Sequence, residues 1–167
     1  MGLKEIVYQK LDDMKIKYDV INHKAIFSES DTDEDLFDKD IVIGKNLFLR
    51  NDKKNKYYLV CLPLNKRADL KKIAEIIGEK RFSFANEKEL KEYLNISPGS
   101  VSYLNVITAA TQNDKYKEIE YVIDKELITS SKVGFHPSDN TATVVTSPSS
   151  MLKLYDEYNL KYITIDI

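Results

Sequence analysis

The sequence predicts an α+β fold in a single domain that spans residues 1–167. Segments with apolar residues at helical spacing alternate along the chain with short runs whose apolar and polar residues alternate as in strands. No linker, internal repeat or low-complexity tract separates these segments. A chain of 167 residues also fits within one hydrophobic core. We therefore expect helices and strands to pack together as one unit.

Four segments carry helix signals. Two of them place apolar side chains three or four positions apart, which gathers those side chains on one helical face. Gly78 suits the residue that ends the second helix. Asn86 and Glu89 form a variant of the capping box at the start of the third, and Pro148 fits the first position of the fourth. The predicted helices span residues 3–14, 69–77, 86–94 and 148–158.

Residues 41–64 are predicted to form a β-hairpin. Two apolar runs, IVIGKNLFL and YYLVCLPL, flank the turn sequence NDKKNK. The first run is interrupted by Gly44, Lys45 and Asn46. Cys61, the one cysteine, lies in the second run, where a small buried apolar residue is expected. Further strands are predicted at residues 18–22, 120–124, 141–146 and 162–167.

The cysteine and histidine counts restrict the chemistry. One Cys and two His exclude an internal disulfide and a CxxC motif, and they make a Cys/His zinc site improbable. We therefore predict no metal and no cofactor. The charged N-terminal segment does not resemble a secretory signal, and no apolar run approaches the roughly 20 residues of a membrane span. The expected location is the cytoplasm, without a membrane partner.

Charge is distributed unevenly along the chain. The formal net charge of −2 excludes a globally basic nucleic-acid binder. Residues 45–81, however, carry eleven basic and four acidic side chains, whereas residues 28–40 carry seven acidic and one basic. The basic stretch suits a phosphate backbone, although ordinary solvated lysines remain the alternative. The candidate residues for such a phosphate contact are Lys53, Lys54, Lys66, Arg67, Lys71 and Lys72.

Three segments could carry chemistry. Lys45 stands between the apolar runs IVI and LFL, where burial of its charge would require an anion or a carbonyl oxygen nearby. The alternative is a lysine at a strand edge that reaches water. The backbone amides of the PGSV segment could line an anion-binding concavity, or the segment could be only a turn. His136 precedes Pro137, and its role could be structural or functional.

Taken together, these segments resemble the YbaK/PrdX superfamily of aminoacyl-tRNA editing domains. The resemblance rests on the segments HKAIFS, GKNLFLRNDKKNKYYLVCLPLNKRADL, RFSFAN, LNISPGSVS, YVIDKEL and GFHPSDNTATVV, which occur in this order over nearly the whole chain. The ProXp-ala-like prolyl-tRNA deacylase branch is the most similar. The resemblance implies a fold like the insertion domain of bacterial prolyl-tRNA synthetase, with a mixed curved sheet and surrounding helices. It also implies a trans-acting hydrolase for alanine mischarged on tRNA(Pro).

The resemblance also assigns roles to residues. It implies that Lys45, His136 and Gly134 are catalytic, with Lys45 holding the ester carbonyl oxygen or a terminal phosphate and His136 orienting the substrate. A hydroxyl of the terminal ribose would assist proton transfer. Residues 103–108 depart from the run that usually follows this position in the family. The implied substrate-binding residues are Asn46, Ile26, Phe27, Gly99, Ser100, Val101, Pro137 and Thr143.

Two alternatives remain open at this stage. The chain could deacylate tRNA that carries another wrong amino acid, such as cysteine or serine. It could instead bind aminoacyl-tRNA or a free amino acid without catalysis, in regulation. The resemblance implies that the basic residues contact tRNA and not DNA, and prolyl-tRNA synthetase is an additional candidate partner.

Overall fold

The computed structural model describes residues 2–26 and 38–167. Phe27 and most of the acidic stretch 28–40 therefore lie outside the described residues. The helices are α1 (Leu3–Asp13), α2 (Leu70–Ile77), α3 (Glu87–Leu94), α4 (Asn105–Ala110), α5 (Lys125–Thr129) and α6 (Pro148–Glu157), with a 3₁₀ helix at Lys115–Glu118. The strands are β1 (Asp19–Asn22), β2 (Ile41–Asn51), β3 (Tyr57–Pro63), β4 (Phe82–Phe84), β5 (Ile119–Asp124), β6 (Lys132–Phe135), β7 (Ala142–Thr146) and β8 (Tyr162–Ile165).

The described strands form one mixed sheet. Seven of them follow the order β1-β7-β6-β2-β3-β5-β8, and β4 pairs with β2 off this path. The β2–β6, β3–β5 and β5–β8 pairs are parallel, and the remaining pairs are antiparallel. The predicted α+β class, with a mixed sheet and surrounding helices, is confirmed.

Helices cover both faces of the sheet. Apolar residues of α1, α3, α4 and α6 pack with Phe48 and Leu59 in the larger core cluster. On the opposite face, Ile73 and Ala74 of α2 pack with Leu49 and other residues in a smaller cluster. Successive residues of β2 therefore point into different cores, as the two-residue period of a strand requires. Among the described residues, no helix has the length and apolar character needed to cross a membrane.

The predicted helix ends are confirmed. Glu89 N donates to Asn86 Oδ1 at 2.9 Å and Asn86 N donates to Glu89 Oε1 at 2.8 Å, which completes the capping box of α3. Gly78 ends α2 with φ +96°, a conformation that glycine adopts without strain. Ser147 caps α6 through a bond from Ser150 N.

The strand β2 is continuous through Gly44, Lys45 and Asn46, as the predicted hairpin requires. Other local predictions need correction. The helical pattern of α6 predicts that Met151, Leu152 and Tyr155 are buried, whereas the buried side chains are Met151, Leu154 and Tyr155, and Leu152 is only partly buried. The sequence patterns did not reveal β4, β6, α4 or α5. The two strands have only three and four residues, too few to show alternation, and five of the six residues of α4 are buried, which removes its amphipathic period.

Candidate active site

A gap in the sheet lies along one edge of β2. On this edge β2 pairs with β6 through residues 41–43 and with β4 through residues 49–51. Residues 44–48 lie between these two partners, and no described strand pairs with them on this side. The gap therefore exposes a short stretch of strand edge inside the fold.

Backbone groups of β2 face this gap. Ile43 O accepts from Leu64 N at 2.8 Å on the β3 side. Because alternate residues of an antiparallel strand direct both backbone groups to the same neighbour, the N–H and C=O of Asn46 point toward the gap. Phe48, two residues further along β2, directs its backbone groups to the same side, and its carbonyl accepts from Ala85 N at 3.0 Å. The edge of β2 thus offers a donor and an acceptor to a ligand in the gap.

A pocket of about 240 Å³ occupies this gap. Its walls are largely apolar side chains, interrupted by a few polar groups, as in small-molecule sites generally. The sequence-predicted site residues that line it are Ile26, Lys45, Asn46, Gly99, Val101 and His136. The structure therefore brings together six residues from four distant segments of the chain.

Lys45 lies on the pocket wall. Its ammonium donates to the backbone carbonyl of Lys66, in the turn that follows β3. Lys45 shares its side of β2 with Leu47, which is partly buried and also lines the pocket. The alkyl stem of Lys45 is therefore half-buried, and its ammonium is bound by a carbonyl oxygen. The sequence interpretation of a partly buried lysine requires such an oxygen.

Asn46 carries the clearest sign of a ligand. Both its Oδ1 and its Nδ2 are buried and have no hydrogen-bond partner among the described residues. Leaving one such group unsatisfied costs about 1–3 kcal/mol. A substrate group that accepts from Nδ2 and donates to Oδ1 would recover this energy.

His136 faces the pocket as a neutral imidazole. Its Nδ1 lies 3.1 Å from Ala142 O, which can only accept, so Nδ1 carries the proton and Nε2 keeps its lone pair. Burial lowers the pKa of His136, and the nearby His23 adds to this effect against the opposing influence of Ala142 and Asp139. The ring centroids of the two histidines are 6.1 Å apart.

A buried polar network fixes the two loops beside the pocket. Ser102 Oγ donates to His136 O at 2.5 Å, and Asn105 Nδ2 donates to Ser138 Oγ at 2.8 Å. Asn105 also binds Ser100 O at 3.2 Å, and Thr108 Oγ1 lies 3.2 Å from Ser138 Oγ. Residues 103–108, where the chain departs from the family pattern, therefore brace these loops from behind and do not line the pocket.

Comparisons with known proteins identify the family. The family described as "Aminoacyl-tRNA editing domain" matches residues 38–154. The ProX prolyl-tRNA editing protein of Acetoanaerobium sticklandii is 38% identical over 155 residues, which cover 92% of this chain and 91% of that protein. The chain belongs to the aminoacyl-tRNA editing domain family. It is accordingly an editing enzyme, an aminoacyl-tRNA deacylase.

More distant proteins share the same fold. Prolyl-tRNA synthetase associated domain-containing protein 1 of Danio rerio is 26% identical over 159 residues, covering 94% of this chain and 83% of that protein. A crystal structure of a candidate trans-editing enzyme for prolyl-tRNA synthetase superposes with a TM-score of 0.65 at 17% identity, over 99% of this chain and 96% of that one. At this identity the superposition shows the fold alone.

Several of the predicted site residues do not line the pocket. Gly134 is buried in β6, where an added Cβ would lie 2.7 Å from Ile43 Cδ1 and 2.9 Å from Thr143 Cγ2. Pro137 and Thr143 are also buried and do not line the pocket. Ser100 is occupied within its turn, where its N–H donates to Ser97 O at 3.3 Å. Because Gly134 has no side chain, β6 can pack closely against Ile43 and Thr143 next to the site.

The predicted tRNA-contact residues fall into two groups. Lys66 is half-buried and forms ion pairs with Asp124 at 2.8 Å and Glu126 at 3.0 Å. Burial alone would lower the pKa of Lys66, but these two carboxylates raise it. The other five are exposed, at the hairpin tip, in the turn after β3 and on the first turn of α2. They are Lys53, Lys54, Arg67, Lys71 and Lys72.

Sequence reasoning missed part of the pocket. Leu47, Leu64 and Phe84 line the pocket and were not among the predicted site residues. His23 lies behind His136, with its Nε2 2.8 Å from Thr143 Oγ1. The segments HKAIFS and RFSFAN, which contain His23 and Phe84, were part of the family resemblance. That resemblance was the one signal available for them.

Proposed function

We propose that this deacylase acts in trans on mischarged tRNA(Pro) and that alanine is the amino acid it removes. The observation that carries the proposal is the unsatisfied amide of Asn46, buried in a pocket that Lys45 and His136 also line. The 38% identity to a prolyl-tRNA editing protein, over nearly the full length of both chains, supports tRNA(Pro) as the tRNA.

The edge of β2 would orient the aminoacyl group. Its backbone N–H at Asn46 can donate to the ester carbonyl oxygen, and nearby carbonyls can accept from the α-ammonium group. Donors fixed in advance at the position where negative charge develops are a large source of catalysis. The ammonium of Lys45, held at the pocket wall by Lys66 O, adds positive charge for the carbonyl oxygen or the terminal phosphate.

Hydrolysis of an activated ester requires a positioned water more than a strong base. The neutral His136 can accept from this water through Nε2, because Nδ1–H is already bound to Ala142 O. The water oxygen then bonds to the carbonyl carbon and the bond from that carbon to the ribose oxygen breaks. The proton that the water loses passes through the vicinal hydroxyl to the departing ribose oxygen. The products are free alanine and uncharged tRNA.

A small pocket favours alanine over proline. Excluding the larger proline ring by steric contact is easier than rejecting a smaller group, since one methylene is worth only about 1–3 kcal/mol. The apolar side chains of Ile26, Leu47 and Val101 provide such a wall. Exposed basic residues at the hairpin tip and on α2 would contact the tRNA backbone, and prolyl-tRNA synthetase is a candidate partner. We place this single-domain enzyme in the cytoplasm, with its substrate.

A deacylation panel tests the proposal. Purified protein is incubated with tRNA(Pro) charged with alanine, cysteine, serine or proline, and release of the amino acid is followed. We expect fast release of alanine and little release of proline. Preferred release of cysteine or serine would keep the editing activity and overturn the alanine assignment. Binding of every substrate without release would favour a regulatory binder.

A further inference from the structure

Phe84 is an exposed aromatic residue at the pocket. It retains 57% of its accessible surface, more than any other large apolar side chain among the described residues. Its ring nevertheless lines the pocket together with Lys45 and Asn46. A phenylalanine ring has no hydrogen-bonding group, so at the edge of this pocket it can bind a flat ligand group through its apolar face.

The backbone under Phe84 is fixed. Phe84 is opposite Leu49 in the β2–β4 pair, and the next residue, Ala85, donates to Phe48 O at 3.0 Å. Two residues earlier, Phe82 is 5% exposed in the smaller core. The ring is therefore presented on a well-anchored strand, which keeps the entropy cost of stacking low.

We propose that Phe84 is the platform on which the adenine of the 3′-terminal adenosine of aminoacyl-tRNA stacks. This inference rests on the proposed function, because the ester that is cleaved lies on the ribose of that same adenosine. If the ester occupies the pocket, the adenine on the same ribose lies at the rim of the pocket. Exposed aromatic side chains commonly bind unpaired bases by stacking, since every base has a flat face.

The surroundings favour a base over a protein partner. A protein-docking surface usually presents a contiguous apolar patch. Beyond Ala85 the chain continues with Asn86, Glu87 and Lys88, which are all exposed and polar. An aromatic ring followed by exposed polar residues matches a stacked base better.

Kinetics of four variants test the stacking. In hydrolysis of alanyl-tRNA(Pro), F84A and F84L should raise KM about 5- to 30-fold, the lower part of the range for loss of base stacking, with kcat within about two-fold. F84Y retains a ring and should behave like the wild type. Ile163→Ala removes another exposed apolar side chain, on β8 at the far edge of the sheet, and should change neither constant. Wild-type KM in F84L would overturn the proposal.

A binding measurement separates this proposal from the catalytic one. The chain contains no tryptophan, so Phe84→Trp provides a single indole reporter. Its fluorescence should be quenched saturably by AMP and not by ribose 5-phosphate, whereas Ile163→Trp should respond to neither. No response to AMP, in a protein whose wild type deacylates tRNA, would overturn the adenine subsite alone. A response to AMP without any deacylation by the wild type would retain the subsite and overturn the function. An effect of F84A seen only with synthetase present would identify a protein contact and overturn the subsite.

Discussion

Glu89 is predicted to hold the pocket-side end of β4 and α3 in place. Its Oε1 accepts from Asn86 N at 2.8 Å and from Arg50 Nη1 at 2.6 Å, and its Oε2 accepts from the Tyr57 hydroxyl. Burial alone would raise the pKa of Glu89, but these donors lower it. The side chains of Arg50 and Glu89 are only 17% and 11% exposed, so the pair is largely desolvated.

Removing the carboxylate should cost much more than an ordinary surface change. Glu89→Ala leaves Arg50 buried without its counter-charge, for which about 3–5 kcal/mol is typical. At roughly 2–4 °C per kcal/mol for a chain of this size, the melting temperature should fall by about 10 °C. Glu89→Gln keeps an acceptor for Asn86 N and should lose less. The exposed Glu87→Ala, in the same helical turn, is the matched control and should change stability by less than about 0.5 kcal/mol.

Urea unfolding followed by circular dichroism measures these differences. The wild-type advantage over Glu89→Gln should also depend on pH. Because the folded pKa of Glu89 is lowered, its contribution is present above the unfolded value near 4.5 and declines as pH falls below it. A loss under about 1 kcal/mol in Glu89→Ala, or a difference that does not change with pH, would refute this account of the network.

Three further predictions concern the pocket and the basic surface. Asn46→Leu should raise the free energy of unfolding by about 1 kcal/mol while reducing deacylation, because it removes an unsatisfied buried amide to which we assign substrate binding. Urea unfolding and deacylation rates of the variant and the wild type measure the two effects. A lower free energy of unfolding in the variant would show that the amide is already satisfied. The decrease of kcat/KM at acid pH that we attribute to protonation of His136 should occur below pH 6.5, because the lowered pKa of His136 keeps its imidazole neutral to lower pH. If His136→Gln shows the same decrease at the same pH, another group is responsible for it. Lys71→Glu with Lys72→Glu should raise KM at low salt and have less effect at high salt; an equal effect at all salt concentrations would argue against a phosphate contact.

Much of the fold could be predicted from local signals in the sequence. The capping box at Asn86 and Glu89 and the stop at Gly78 are contained in a few adjacent residues, so they could be recognised without tertiary information. The hairpin of β2 and β3 was equally clear because a polar turn separates two apolar runs. By contrast, β6 depends on pairing with β2 and β7, and its four residues carry too little pattern of their own.

The site itself is less visible in the sequence. Lys45 could be identified because a charge between apolar runs needs an explanation. The gap beside it could not, since it results from β6 and β4 pairing with different ends of β2. His23 and Phe84 reach the site only through that arrangement. Gly134 is a different case: its catalytic role stays a prediction from the family motif, while the structure shows that a Cβ at this position would meet Ile43 and Thr143.

The most direct test of the central claim is the single-turnover rate of alanine release from alanyl-tRNA(Pro), measured for the wild type and for Lys45→Ala. We predict that the wild type accelerates release well above spontaneous hydrolysis and that Lys45→Ala loses about 100-fold or more, as expected when a group that stabilises developing charge is removed. A wild-type rate equal to that of buffer would contradict the deacylase account. An undiminished rate in Lys45→Ala would contradict the role of this pocket residue.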